Sequence, residues 1–373
     1  MKLRYESDGE LVTEFTDLEY MSCDNKFILK GLDSEPLEYH PILNLDPEYS
    51  LDDFSIELLN NEDSTENSIY TVKIKIDRDW GRIGWVFPIQ ALLSREHTQA
   101  ENEFFLKYAY IATYILLNNI ECTIDIGEDG ISQELLLEKL YDPNTNLLVI
   151  DHNNCKAVSD FNLNHYIIGL SQYGYSWTGK IQGTLPLPES KDNSPGHINL
   201  NCISSEIDHE EIINMIFKEQ LPQKLPVLLR FYYSYQIIEI LIQEIFENEF
   251  QKLLGHISVD TEKLFDVRED VNNIAGEKNR VKKLFNIYTD KKDITSRNEL
   301  NEECINILKY FGRKTYTDLA GNLYAVRCLL VHKMYAISTA DKRKLIIIDG
   351  MIIKINILLL AVLQNLLFSF HKD

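Results

Sequence analysis

The hydrophobic rhythm of the chain changes near its middle. In the first half, short apolar runs alternate with polar breaks, and Ser68-Ile69-Tyr70-Thr71-Val72-Lys73-Ile74-Lys75-Ile76 has the period of two that predicts a half-exposed strand. Residues 80–88, opening with Trp80-Gly81-Arg82-Ile83-Gly84-Trp85, read as a turn into a second strand, with the two tryptophans as core or hairpin packing. Phe104, Phe105, Tyr108, Ile111, Ala112 and Ile115 recur at helical spacing over 101–119. A strand at 122–126, a short helix at 132–140 and a strand at 147–150 follow, with further strands expected over 166–183 and 197–200. The breaker-rich stretch 185–196 separates the last two. Residues 1–60 read as short strands and turns.

From Ser204 the pattern becomes helical. Ser204-Ser205-Glu206-Ile207-Asp208-His209-Glu210-Glu211 carries hydroxyl and carboxylate caps with acids in the first turn, a helix-start signature. Helices are predicted at about 208–218, 227–254, 259–286, 298–311, 318–337 and 343–370, with little strand signal between them. The expected class is therefore α+β: a mixed α/β domain over 1–204, followed by an all-α bundle over 205–373.

Charge sharpens that boundary. The net charge of −21 is uneven: residues 1–205 hold 14 Lys+Arg against 34 Asp+Glu, and residues 206–373 hold 23 against 24. An acidic first half repels phosphate backbones and suits a regulatory or sensing role toward a protein trigger. The balanced second half can still present local basic patches. At 373 residues and 45% hydrophobic, the chain has ample core material for two domains.

Other chemistry is thinly represented. Six cysteines (Cys23, Cys122, Cys155, Cys202, Cys304, Cys328) form no C-x-x-C pair and have no histidine at ligand spacing, so neither a disulfide framework nor a zinc site is expected. A reducing cytoplasm fits this usage, and the first eight residues lack the apolar core of a signal peptide. Lys354, Asn356, Gln364 and Asn365 interrupt the apolar run 351–370, which reads as a buried bundle helix and not a membrane span. Asp125, Glu128, Asp129 and Asp151 fit no calcium loop and read as a solvated acidic edge. The chain has no phosphate loop, nucleophile elbow or dinucleotide fingerprint. No metal or cofactor is expected.

The residues that ask for an explanation are Arg327 and His332. Leu319, Leu323, Val326 and Leu330 form one stripe of the helix, while Ala325, Leu329 and Val331 spread apolar surface around it. Charged or polar side chains on a helix buried on several sides are costly unless paired, solvated in a cleft, or used.

Arg327-x4-His332 in the penultimate helix of a small bundle resembles the HEPN superfamily, whose α-helical domains occur in prokaryotic toxins, CRISPR-associated ribonucleases and anti-phage defence proteins. The earlier helix with Tyr232-Tyr233-Ser234-Tyr235-Gln236-Ile237-Ile238-Glu239 is similar to the first long helix of that group. The resemblance covers about residues 205–373. It implies a metal-independent endoribonuclease, in which a ribose 2′-OH attacks the adjacent phosphate, acting as a toxin in abortive infection. Histidine exchanges protons near neutrality, and the planar, permanently charged arginine fork can hold a phosphate. Where the family commonly has a polar residue, often asparagine, directly after the arginine, this chain has Cys328.

Five residues along a helix turn the side chain by about 140°, so Arg327 and His332 do not share a face. Either the helix ends near His332, or a symmetric homodimer completes the site across a cleft, as the resemblance implies. Glu239 is a candidate to orient Arg327, and Lys333 and Tyr335 flank the motif. Lys278, Arg280, Lys282 and Lys283, interleaved with aromatics, form the best candidate RNA-contacting patch. The alternative is a catalytically inactive HEPN-like module for dimerisation or partner binding, attached to a ligand-sensing first domain.

Overall fold

The computed structural model describes residues 2–7, 10–15, 17–21, 26–30, 37–39, 51–92, 96–119, 123–126, 141–158, 161–177, 196–257, 264–290, 294–332 and 342–372. The chain is α+β and divides into a sheet unit, Met1–Phe161 with Asn193–Leu200, and a helical unit, Asn162–Asp192 with Asn201–Asp373.

In the sheet unit, β1 (Lys2–Ser7) pairs antiparallel with β2 (Glu10–Phe15), while β3 (Asp17–Met21), β4 (Lys26–Lys30) and β5 (Leu37–Tyr39) form a separate antiparallel meander. The main sheet holds β6 (Phe54–Asn60), β7 (Tyr70–Ile76) and β8 (Asp79–Pro88). Helix α1 (Glu103–Asn119) then leads to β9 (Thr123–Ile126), which runs parallel to β1. Strand β10 (Thr145–Asp151) inserts between β6 and β8, and the strand His197–Leu200 joins parallel to β7, so the sheet is mixed. Every residue of β10 up to Ile150 is buried, as expected of a central strand covered on both faces.

Helix α1 lays Phe105, Tyr108, Ala109, Ala112 and Leu116 against Trp85, Phe87, Leu147 and Val149. Trp85 meets the Phe105 ring at 5.8 Å, so it is core, while Trp80 at the turn is exposed. Gly84 is required on β8: a Cβ there would stand 2.0 Å from the Val149 carbonyl oxygen. The expected helix at 132–140 lies outside the described residues. Asp151 caps the short helix α2 (His152–Cys155), accepting from the Asn153 backbone N–H.

Two expectations fail at the start of the helical unit. Residues expected to be strand from 166 form a 3-10 turn, Leu163–Tyr166, and the helix α3 (Ile167–Ser171), with only the short strand Ser176–Trp177 beyond. The all-apolar run at Ile167-Ile168 is ambiguous in periodicity, and burial among helices resolved it as helix. The unit also begins before residue 205, because Ile167 and Ile168 belong to its core and Gln364 Nε2 donates to Ser171 Oγ at 3.0 Å.

Helix α4 (Glu210–Met215) continues into a π-helical turn, Ile216–Gln220. Then come α5 (Val227–Ile257), α6 (Leu264–Ala275), α7 (Glu277–Asn286), α8 (Ile294–Tyr310), α9 (Leu319–His332) and α10 (Lys342–Ser369). The single helix expected over 259–286 is two, because Gly276 adopts an extended ψ of 107° and becomes the N-cap of α7. Phe231, Ile238 and Leu241 of α5, Leu300 and Ile307 of α8, Leu323, Val326 and Leu330 of α9, and Ile355, Leu359 and Leu363 of α10 share one core. Helix α10 is long and apolar enough to cross a membrane, yet its apolar residues Ile348, Ile352, Ile355, Leu359, Leu363 and Leu366 are used in that core. Ile346, Ile347 and Ile353 remain exposed on its outer face.

A charge cluster around the buried Glu244 joins Asp208, His209 and Lys372 to this bundle. Glu244 on α5 has no exposed surface, and its Oε1 accepts from the Asp208 and His209 backbone N–H groups at 3.0 and 3.1 Å. His209 Nδ1 lies 2.6 Å from that oxygen, and Lys372 Nζ stands 2.6 Å from both Glu244 Oε2 and Asp208 Oδ2. Burial of a carboxylate is tolerated here because each oxygen has a cationic or N–H partner.

Candidate functional site

Helix α9 is positioned by a polar device at its start. The side chain of Asn322, wholly buried, accepts from the Tyr316 N–H at 2.7 Å and donates to the Tyr316 carbonyl at 3.0 Å and Asn301 Oδ1 at 2.8 Å. Gly321 lets Tyr316 pack closely, since a Cβ there would stand 2.8 Å from the Tyr316 Cβ. Asp318 Oδ1 caps the helix through the Gly321 N–H. Further along the helix the Tyr232 hydroxyl donates to the Leu330 carbonyl at 3.0 Å.

Between these anchors Arg327 points toward α5. Its Nη2 donates to Glu239 Oε1 at 2.8 Å and lies 3.8 Å from Glu277 Oε1 at the first position of α7. Its guanidinium carbon stands 5.8 Å from the centre of the Tyr235 ring. The Arg327 side chain is only 17% exposed. Burial works against its charge, but the Glu239 bond and the Glu277 and Glu239 charges outweigh burial and hold its pKa above the ordinary arginine value.

Tyr235, packed deep in the bundle, has a hydroxyl without a hydrogen-bond partner. Burial first, then the Glu277 charge, pushes its ionisation far up. Tyr324 is one turn before Cys328; burial and the Cys328 thiol beside it, which shares a hydrogen bond, push Tyr324 up to about 12. The described constellation is thus Arg327, Glu239, Glu277, Tyr235, Tyr324 and Cys328, in which one cation faces two carboxylates.

The backbone of His332 belongs to α9, while its side chain lies outside the described residues, as do Lys333 and Tyr335. The structure therefore brings Arg327, Glu239 and Cys328 together and leaves the histidine imidazole undescribed.

Each residue of the basic patch makes a contact within the helical unit. Lys278 Nζ sits 3.7 Å from the centre of the Tyr316 ring, and Arg280 donates to the Ile242 carbonyl at 3.2 Å while covering Phe246. Lys282 pairs with Asp318 at 3.4 Å, and Lys283 grips Glu249 at 2.6 Å. These four cations tie α7 to α5 and to the loop before α9.

Glu277 and Tyr235 have roles here that the sequence reading missed. In the sequence Tyr235 is one residue of an aromatic run, and Glu277 is an acid next to the basic stretch 278–283. The readable signal was Gly276, whose helix break puts Glu277 in a first turn.

No family model, curated protein or solved structure matches the chain. Among the described residues, no group of three or more His, Cys, Asp or Glu is placed to hold a metal ion. The four described cysteines are free thiols.

Proposed function

We propose that the helical unit is a metal-independent endoribonuclease of the HEPN kind, working as a toxin or effector in anti-phage defence in the cytoplasm. The observation that carries this reading is a mostly buried arginine held by a carboxylate, five residues before a histidine in the same helix. Arg327 binds the scissile phosphate and stabilises the charge that accumulates on it. His332 moves the proton between the ribose 2′-OH and the leaving 5′-oxygen. Glu239 fixes the guanidinium fork, and Cys328 with Tyr324 lines the approach.

A homodimer through the helical unit completes the site, so that two copies of the pair face one cleft. Exposed Val331 beside His332, together with Ile346, Ile347 and Ile353 on α10, supports such a partner surface. The acidic sheet unit receives a protein trigger and holds the effector in check.

A second reading, an inactive HEPN-like partner-binding module, is favoured by one observation: Arg327 is neutralised by two carboxylates as it stands. Expression of wild type, Arg327→Ala and His332→Ala in a bacterial host separates the two. Growth arrest with RNA breakdown for wild type alone supports the ribonuclease. Arrest that persists in both variants, or arrest with intact RNA, removes it.

A further inference from the structure

Among the described residues, Arg327 faces two carboxylates, and the two are not equivalent. Glu239 makes a hydrogen-bonded contact at 2.8 Å from a side chain that is 44% exposed. Glu277 stands at 3.8 Å from the same Nη2, too far for a hydrogen bond, and its Oε1 is buried with no hydrogen-bond partner. A carboxylate oxygen taken from water in this way loses solvation and recovers only Coulomb attraction. Glu239 is therefore the stable partner, and Glu277 is the weakly held one.

The electrostatic sum points the same way. Among the described residues, one guanidinium with two carboxylates carries a net charge of −1, which opposes the entry of a phosphodiester. Beside them, the buried Tyr235 hydroxyl lacks a partner of its own. An arriving oxyanion would offer the guanidinium bonds that Glu277 does not make.

We propose that Glu277 occupies the place on Arg327 that a phosphodiester takes, so that it is an intramolecular competitor of the substrate and must leave before RNA binds. This inference rests on the reading of Arg327 as the phosphate-binding residue. Glu239 stays in place throughout and keeps the fork aligned. Glu277 lies at the start of α7, directly after the non-helical Gly276, so a small movement of that turn suffices to withdraw it. A trigger that shifts α7 relative to α9 would thereby switch the site on.

The test is binding of a single-stranded DNA oligonucleotide, which offers phosphodiesters but no 2′-OH and so cannot undergo the proposed cleavage. Fluorescence anisotropy at low salt compares wild type, Glu277→Gln, Glu239→Gln, Glu299→Gln and the double variant Glu277→Gln/Arg327→Gln, each checked by circular dichroism for an unchanged fold. Glu277→Gln is expected to bind about tenfold more tightly than wild type. The gain should vanish in the double variant, and the control Glu299→Gln, an exposed acid on α8, should leave affinity nearly unchanged. Unchanged affinity in Glu277→Gln, or a gain that survives loss of Arg327, overturns the proposal. In parallel, a ribo-oligonucleotide reports cleavage. Tighter DNA binding without any RNA cleavage would sustain Glu277 as competitor and remove the ribonuclease reading; cleavage by wild type with no gain in Glu277→Gln would do the reverse.

Discussion

Glu239 Oε1 and Arg327 Nη2 meet at 2.8 Å across α5 and α9, although 88 residues separate them in the chain. Because Glu239 is 44% exposed, its contribution to stability is screened by water and stays below about 1 kcal/mol. Its contribution to geometry is larger. Glu239→Gln should cut RNA cleavage by about a hundredfold while moving the urea midpoint little. A fall in stability that accounts for the whole loss of rate would assign Glu239 to folding alone.

Asn322 controls where α9 begins. Replacing it by alanine strips the Tyr316 N–H and carbonyl of their buried partner, at a cost of about 2 kcal/mol. Hydrogen exchange should show the Tyr316 amide exchanging faster, together with amides of the first turn of α9. Protection equal to wild type would mean that packing of Leu323 and Val326 positions the helix unaided.

The clasp around Glu244 has a pH signature. The Glu244 hydrogen bond is the largest influence on His209 and, with the Glu244, Glu247 and Asp208 charges, raises its pKa above the ordinary 6.5 despite some burial. A raised folded-state pKa means that the stabilisation is fully present below the unfolded value of 6.5 and is lost as pH rises through the folded one. Lys372 faces the same carboxylate and keeps its charge well above this range, because its bonds to Asp208 and Glu244 outweigh burial. Urea midpoints of wild type and His209→Gln should therefore converge toward pH 8 and separate toward pH 6, wild type being the more stable. Parallel curves would show that His209 does not titrate against Glu244.

Gly84→Ala tests the sheet unit. The added methyl would collide with the Val149 carbonyl on the neighbouring strand, and the β8–β10 ladder would have to open. A loss of about 3 kcal/mol is expected by chemical denaturation. A loss below that of an ordinary surface change would mean that β8 shifts to accommodate it.

Particular elements explain what could be read from the chain. The period-two run at 68–76 and the helical spacing over 101–119 gave β7 and α1 within a few residues, because each buries one face and shows its pattern. Ile167-Ile168 gave a strand where a helix stands, since a short apolar run buried on all sides carries no period. The partners of the patch around Lys278 to Lys283 were not legible, because sequence shows charges without them: Glu249 and Asp318 answer two of these lysines from 34 and 36 positions away. The Arg327–Glu239 relation was legible as a candidate because the resemblance supplied an arginine in search of an acid. Glu277 was hidden by the single helix expected over 259–286, in which it would have been one more mid-helix acid.

The most direct measurement is the rate at which purified protein, with its trigger where one is needed, cleaves a ribo-oligonucleotide, compared with Arg327→Ala, His332→Ala and a substrate bearing one 2′-deoxyribose at the scissile position. The account predicts cleavage by wild type without added metal, a 2′,3′-cyclic phosphate end, and loss of at least about a hundredfold in either variant and with the deoxy substrate. Cleavage by His332→Ala at the wild-type rate, or equal cleavage of the deoxy substrate, would contradict it.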